Sequence, residues 1–138
     1  MSEAGPHRFA MRVYYEDTDA GGIVYYANYL RFAERARTEM LRGHGIESSD
    51  LMANEGIALA VRRCNVDYRR PARLDDELIV ETRVVHVGGA SLELRQVVTC
   101  GNDELVAMDL KLGCMSLDGA AARLPATLRQ TLNEHTQA

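Results

Sequence analysis

The strongest constraint on the fold is one long amphipathic segment followed by a run of extended ones. From Ala27 to Arg42, Tyr29, Phe32, Ala33, Ala36 and Met40 fall at i, i+3, i+4, i+7 and i+11, which is one helical stripe. Arg31, Glu34, Arg35, Arg37 and Glu39 take the other sides. Asn28 is the expected N-cap and Gly43 the expected stop. A short second helix is expected near Ser49–Asn54, capped by Ser48 or Ser49. Upstream, residues 8–16 alternate as a strand. Downstream, Ile57–Tyr68, Glu77–Val87, Ser91–Cys100 and Leu105–Ser116 read as four more strands. Gly88-Gly89 and Gly101-Asn102 separate the last three, which predicts antiparallel hairpins. The apolar phase of Ile57–Tyr68 shifts near Arg62-Arg63, which predicts a bulge or a change of buried face, and Pro71 ends that strand. Leu124 to Leu132 reads as a short terminal helix, with a polar tail expected to fray.

Strand, long helix, then four strands is an α+β order with the helix segregated from an antiparallel sheet. A sixteen-residue helix is about 24 Å long, and strands of ten to twelve residues reach about 33–40 Å. Such strands can curl lengthwise around one helix. One helix cannot cover both faces and both edges of the sheet, so pairing in an oligomer is expected. The length of 138 residues suits a single domain, 1–138, with its core at about 8–118 and a partly helical C-terminal tail.

Several classes of function are disfavoured. A net charge of −4 gives no overall attraction for nucleic acid or anionic membranes. No apolar run is long enough for a transmembrane helix, and the polar stretch Met1 to Arg8 is no signal peptide. A cytoplasmic location is expected. Cys64, Cys100 and Cys114 are widely spaced, and His7, His44, His86 and His135 lack ligand spacing, so no metal or cofactor is expected. The cysteines are read as reduced, mostly buried thiols, and His44 as a helix C-terminal residue where a cation is favoured. There is no GxSxG elbow and no P-loop.

Chemistry concentrates in the segment Tyr14 to Tyr29, where Glu16, Asp17 and Asp19 sit on a glycine-containing loop leading into the long helix. A helix N-terminus offers unpaired N–H groups and partial positive charge, which hold an anion or a developing oxyanion. A nearby carboxylate can attack a carbonyl or activate water. An Asp before a helix is also a common cap, and an Asp-Gly loop a common turn.

The run Tyr15-Glu16-Asp17-Thr18-Asp19-Ala20-Gly21-Gly22-Ile23-Val24-Tyr25, then Ala27-Asn28-Tyr29-Leu30 and Glu34-Arg35-Ala36-Arg37, resembles the 4-hydroxybenzoyl-CoA thioesterase family of hotdog proteins. The likeness is strongest to its Tol-Pal-associated subgroup and extends from about residue 10 to residue 117, including the turn Pro71-Ala72-Arg73-Leu74-Asp75-Asp76. The resemblance implies a curved sheet around a long helix, a homodimer or homotetramer with interfacial active sites, and hydrolysis of a small acyl-CoA. It implies that Asp19 acts on the thioester carbonyl as nucleophile or general base, and that the Tyr26 N–H is the oxyanion donor. Many members of the subgroup carry histidine where this chain has Tyr26. A backbone donor survives that change and an imidazole does not. Tyr15, from its strand position, with Gly22, Val61 and Ser91, completes the expected substrate-binding set. Relatives use the region of Ser91 near the CoA phosphates; the arginine they carry there is absent, and Arg62, Arg63, Arg69, Arg70 and Arg73 are the candidates to replace it.

Two rival readings remain open at this level. Acyl-chain hydration or dehydration on the same fold usually wants a paired histidine, which the loop lacks. A non-catalytic module for acyl-CoA or acyl carrier protein, serving the cell envelope machinery at the inner membrane, would have no need of Asp19.

Overall fold

The computed structural model describes residues 5–136. Strand β1 (His7–Arg12) is followed by a 3₁₀ turn at Tyr15–Asp17, the long helix α1 (Asn28–Gly43), and a short helix α2 (Ser48–Asp50) that runs into a π turn at Leu51–Glu55. Then come β2 (Ile57–Tyr68), β3 (Glu77–Val87), β4 (Ser91–Cys100), β5 (Asp103–Ser116) and helix α3 (Ala126–Glu134). The five strands form one sheet in the order β1-β3-β4-β5-β2, antiparallel throughout. The α+β arrangement and the two hairpins expected from the glycine turns are therefore present.

Helix α1 buries the expected stripe: Tyr29, Phe32, Ala33, Ala36 and Met40, with Leu41 added. Ala33 and Ala36 are wholly buried, and without bulk there the helix lies close on the sheet. Its first half packs with Val13, Leu78, Val80, Val98 and Met108. Its last turn joins a second apolar cluster with Leu92, Leu94, Leu112 and, from α3, Leu128 and Leu132. α3 thus closes the end of the sheet that α1 leaves uncovered.

The bulge expected near Arg62-Arg63 lies between Val61 and Arg63, where β2 slips register against β5. Cys64 and Val66 face the core on one side of it, and Ile57 and Leu59 on the other. Arg62 is the extra residue; its stem lies over Gly113, where an added Cβ would come within 2.6 Å of the Arg62 Cδ.

Several expectations are corrected. The first strand stops at Arg12 rather than residue 16, because the chain turns. Asp17 closes that turn, its Oδ2 accepting from the Tyr14 N–H at 2.8 Å. Ala27, not Asn28, is the N-cap, with no side-chain cap bond. No serine side chain caps α2. β5 begins two residues earlier than expected, at Asp103. The tail is ordered further than Leu132: α3 runs to Glu134, and Thr136 bridges to Val84. The rest of the polar tail, residues 137–138, lies outside the described residues. Only Cys114 of the three free cysteines is buried; Cys64 and Cys100 are half-buried. His44 does sit at the C-cap of α1, but burial, with His135 and His7 close by, pushes its pKa down and disfavours the cation.

Candidate active site

The segment that carries Asp19 folds back on itself. Thr18 bridges Val24, and the Asp19 N–H donates to the Ile23 carbonyl at 2.9 Å. Gly22 at the tip has φ of 76°, a conformation that glycine adopts without strain. The Asp19 carboxylate is tethered on one side only: Oδ1 accepts from the Gly21 N–H at 2.9 Å. Among the described residues Oδ2 has no partner, and the side chain is open to solvent.

Two straps hold this loop. The turn from Pro71 to Asp76 takes one side, through Val24 N–H to Ala72 carbonyl (2.9 Å) and Leu74 N–H to Gly22 carbonyl (3.2 Å). The buried hydroxyl of Tyr29 accepts from the Ala72 N–H at 2.8 Å, tying the turn to α1. The second strap is Asn28, whose Nδ2 donates to the Asp17 carbonyl at 2.9 Å, an oxygen that also accepts from the Tyr25 N–H at 3.1 Å. Asp17 is 9% exposed and serves the loop's own turn, which leaves Glu16 and Asp19 as the exposed acids of the segment, with Asp19 on the glycine loop.

At the start of α1, the N–H groups of Asn28, Tyr29 and Leu30 donate to the carbonyls of Tyr25, Tyr26 and Ala27. The N–H groups of Tyr26 and Ala27 have no acceptor among the described residues. Two adjacent free donors at a helix N-terminus, on the same segment as a carboxylate with a free oxygen, suit addition to a carbonyl and stabilisation of the oxyanion. The Tyr26 ring is 61% exposed and meets Tyr68 edge-on, while the Tyr68 hydroxyl donates to the Tyr26 carbonyl at 3.3 Å. A cleft of about 300 Å³ opens there, lined by Ile23, Tyr26, Tyr29, Tyr68 and Pro71.

The other expected positions spread out. Gly22 belongs to the Asp19 loop. Tyr15 lies in the 3₁₀ turn, not in a strand; it is 81% exposed and is not part of the cleft lining, so its strand-position argument is withdrawn. Val61, at the bulge, lines a separate cavity of about 490 Å³ between the second half of α1 and β2. Ser91 starts β4 opposite Gly113, which also pairs with Ala60, so Ser91 and Val61 share one end of the sheet. Tyr68, beside Tyr26, lies seven strand residues from Val61, about 23 Å along β2. Of the candidate phosphate contacts, Arg69 is paired with Asp67 and Glu104, and Arg70 with Asp103. Arg62 is near Ser91 across β5, and the Arg123 guanidinium lies about 3.5 Å from where a Gly89 Cβ would be.

Asn28, Tyr29 and Tyr68 make bonds around the loop and cleft that the sequence reading did not foresee. A signal existed for one: a tyrosine inside an apolar stripe needs a partner for its hydroxyl when buried.

Comparison with known proteins agrees with this geometry. A family model described as "Thioesterase superfamily" matches residues 21–107. The acyl-CoA thioester hydrolase YbgC of Escherichia coli is 48% identical over 78% of this chain and 81% of its own length. The acyl-CoA thioesterase YbgC of Haemophilus influenzae is 44% identical over 79% of this chain and 80% of its own. Among solved structures, a probable thioesterase from Bartonella henselae superposes with a TM-score of 0.84 at 36% identity, covering 87% of this chain and 99% of that one. A hotdog sheet wrapped on α1, a carboxylate-bearing loop that leads into free helix N–H groups, and a family match over residues 21–107 that includes α1 lead to one assignment: the chain belongs to the thioesterase superfamily.

Proposed function

We propose that the chain hydrolyses an acyl-CoA thioester to the free acid and CoA, with Asp19 acting on the thioester carbonyl and the Tyr26 and Ala27 N–H groups holding the oxyanion. The observation that carries this reading is the pair of unpartnered N–H groups at the start of α1, beside the Asp19 loop. Two balanced routes use these groups. As a base, the carboxylate takes a proton from water as its oxygen adds to the carbonyl carbon. The tetrahedral intermediate then expels CoA thiolate, which takes up that proton. As a nucleophile, a carboxylate oxygen displaces the thiolate to give a mixed anhydride, which water cleaves. A thiolate leaves readily, so neither route needs the imidazole that Tyr26 replaces.

The substrate set proposed is Gly22 and the Tyr26 cleft near the reacting carbonyl, Val61 toward the acyl group, and Ser91 with Arg62 and Arg123 toward the CoA phosphates. Their spread along one protomer supports a homodimer, or a tetramer built from it. The outer edge of β2 is unpaired among the described residues, and two-fold antiparallel pairing there would set one protomer's Val61 end beside the other's Tyr68 end. Acyl carrier protein, which presents the same pantetheine thioester, is proposed as a second carrier. The proposed location is the cytoplasm, with any contact at the inner membrane peripheral; no helix among the described residues is long and apolar enough to cross a membrane.

The test is thiol release over a panel of acyl-CoA and acyl-carrier-protein thioesters. Asp19→Asn is expected to lower kcat by at least about a hundredfold with the circular dichroism unchanged. Native-level turnover by that variant would sink the role of Asp19, and binding without turnover of any substrate would favour the non-catalytic module. Single turnover in ¹⁸O water tests the nucleophilic route: label in the Asp19 carboxylate shows that Asp19 attacked and that water then cleaved the anhydride at the Asp19 carbonyl.

A further inference from the structure

The second half of α1 holds a guanidinium that the reaction above does not use. Arg37 is half-buried and donates from Nη1 to the Gln96 Oε1 at 3.0 Å. Gln96 is fully buried in β4, and its Nε2 is committed twice, to the Ala33 carbonyl at 3.0 Å and to the Thr82 hydroxyl at 2.9 Å. That double commitment fixes Oε1 toward Arg37. The guanidinium is therefore held in place by a neutral acceptor, and among the described residues no carboxylate lies within ion-pair distance of it.

A guanidinium has five N–H donors, and this one uses a single protein acceptor. None of the rest is sealed away from solvent without a partner. Arg37 also lines a cavity of about 490 Å³ whose walls are otherwise mainly apolar, with Leu41, Met52, Leu59, Val61 and Leu112 among them. Ala58 and Ala60 on β2 keep it roomy. Burial pushes the Arg37 pKa down, and Glu34 and the Cys64 thiol partly offset it. Glu34 is exposed and lines the same cavity.

This cavity and the cleft at Tyr26 lie on the same seam, between α1 and β2. Tyr26 and Arg37 are eleven residues apart, about 16 Å along a helix axis. Resting on the hydrolase reading, we propose that the cavity receives the far end of the acyl group, and that Arg37 selects chains tipped with a carboxylate over chains tipped with methyl. A carboxylate accepts the free fork of the guanidinium in a charge-assisted, two-pronged bond that a methyl group cannot make.

The test uses non-hydrolysable acyl-CoA thioethers of matched length, reaching about 16 Å, with a carboxylate or a methyl at the far end. Calorimetry on the full chain is expected to show the carboxylate-tipped thioether bound at least about tenfold more tightly. Arg37→Met should abolish that ratio, and Arg37→Lys, which keeps charge but loses the fork, should leave an intermediate one. Circular dichroism checks the fold of each. Equal affinities in the native chain, or a ratio that survives Arg37→Met, would overturn the proposal. Thiol release from ordinary acyl-CoA is measured alongside. Turnover without the binding ratio defeats this inference alone, and the ratio without turnover defeats the hydrolase reading alone.

Discussion

Asn28 shows how a single side chain can serve the site without touching substrate. Its amide reaches back eleven residues to the Asp17 carbonyl, and its backbone belongs to the first turn of α1. The loop that carries Asp19 and the helix that offers the Tyr26 and Ala27 N–H groups are thereby held at one spacing. Asn28→Ala removes the tether and leaves the Tyr25 N–H as the remaining donor to that carbonyl. The expected cost in stability is about 1 kcal/mol, read from the urea midpoint, while kcat falls by about tenfold and KM shifts little. A fall in kcat no larger than the loss of folded protein would count against the tether. Asp19 was legible before any coordinates because its neighbours form a recognisable run from Tyr15 to Tyr25. Asn28 was legible only as a helix residue. Its partner lies across a loop whose turn depends on Asp17, and no local spacing rule reports a bond of that kind. Tyr15 failed for the same reason in reverse: alternation continued past Arg12 on paper, while the Asp17 carboxylate had already turned the chain.

The C-terminal ends of α1 and α3 meet through stacked imidazoles, His44 and His135, with ring centres 3.8 Å apart. His7 lies close by, and its Nδ1 is buried with no hydrogen-bond partner. Burial lowers the pKa of both His44 and His7 below the ordinary value of 6.5, with His135 and His7 lowering His44 further and Glu39 partly offsetting the shift at His7. The unfolded chain therefore takes up protons first as pH falls. Stability is intact above about pH 6.5 and declines as pH drops through that value toward the lower folded one. Urea midpoints at about pH 7.5 and about pH 5.5 should show the loss. His135→Gln removes one repelling neighbour and should raise the His44 pKa in an NMR titration; an unmoved value would refute the coupling. Elements were read well where periodicity was strict: β3 and β4 match their expected limits, and the β2 bulge was visible as a change of apolar phase. Helix ends were read less well, because Ala27 begins α1 without a capping side chain and His44 is a neutral imidazole at a position where a cation was expected.

At the scale of the whole molecule, one helix leaves β2 as an open edge and leaves Val61 and Asp19 at different ends of one protomer. If the working site is shared between copies, specific activity should fall on dilution in step with dissociation followed by sedimentation. Constant specific activity across a dimer-to-monomer transition would show that one chain suffices. The antiparallel sheet and its wrapping of one helix could be reasoned from element order and lengths; the strand order β1-β3-β4-β5-β2 could not. The division of the α1–β2 seam into a tyrosine-lined cleft and an arginine-bearing cavity could not, because it depends on Gln96 and Thr82, strand residues distant from Arg37 in the chain. The extra residue at Arg62 has a last implication, for how this chain tolerates change in length. Replacing Arg62 alters one side chain, and deleting it would leave Val61 opposite Leu112 and Arg63 opposite Lys111, closing the bulge while Ile57, Leu59 and Val61 keep their face. Homologues one residue shorter at this point should accordingly keep the same inward positions along β2 and lose only the bulge.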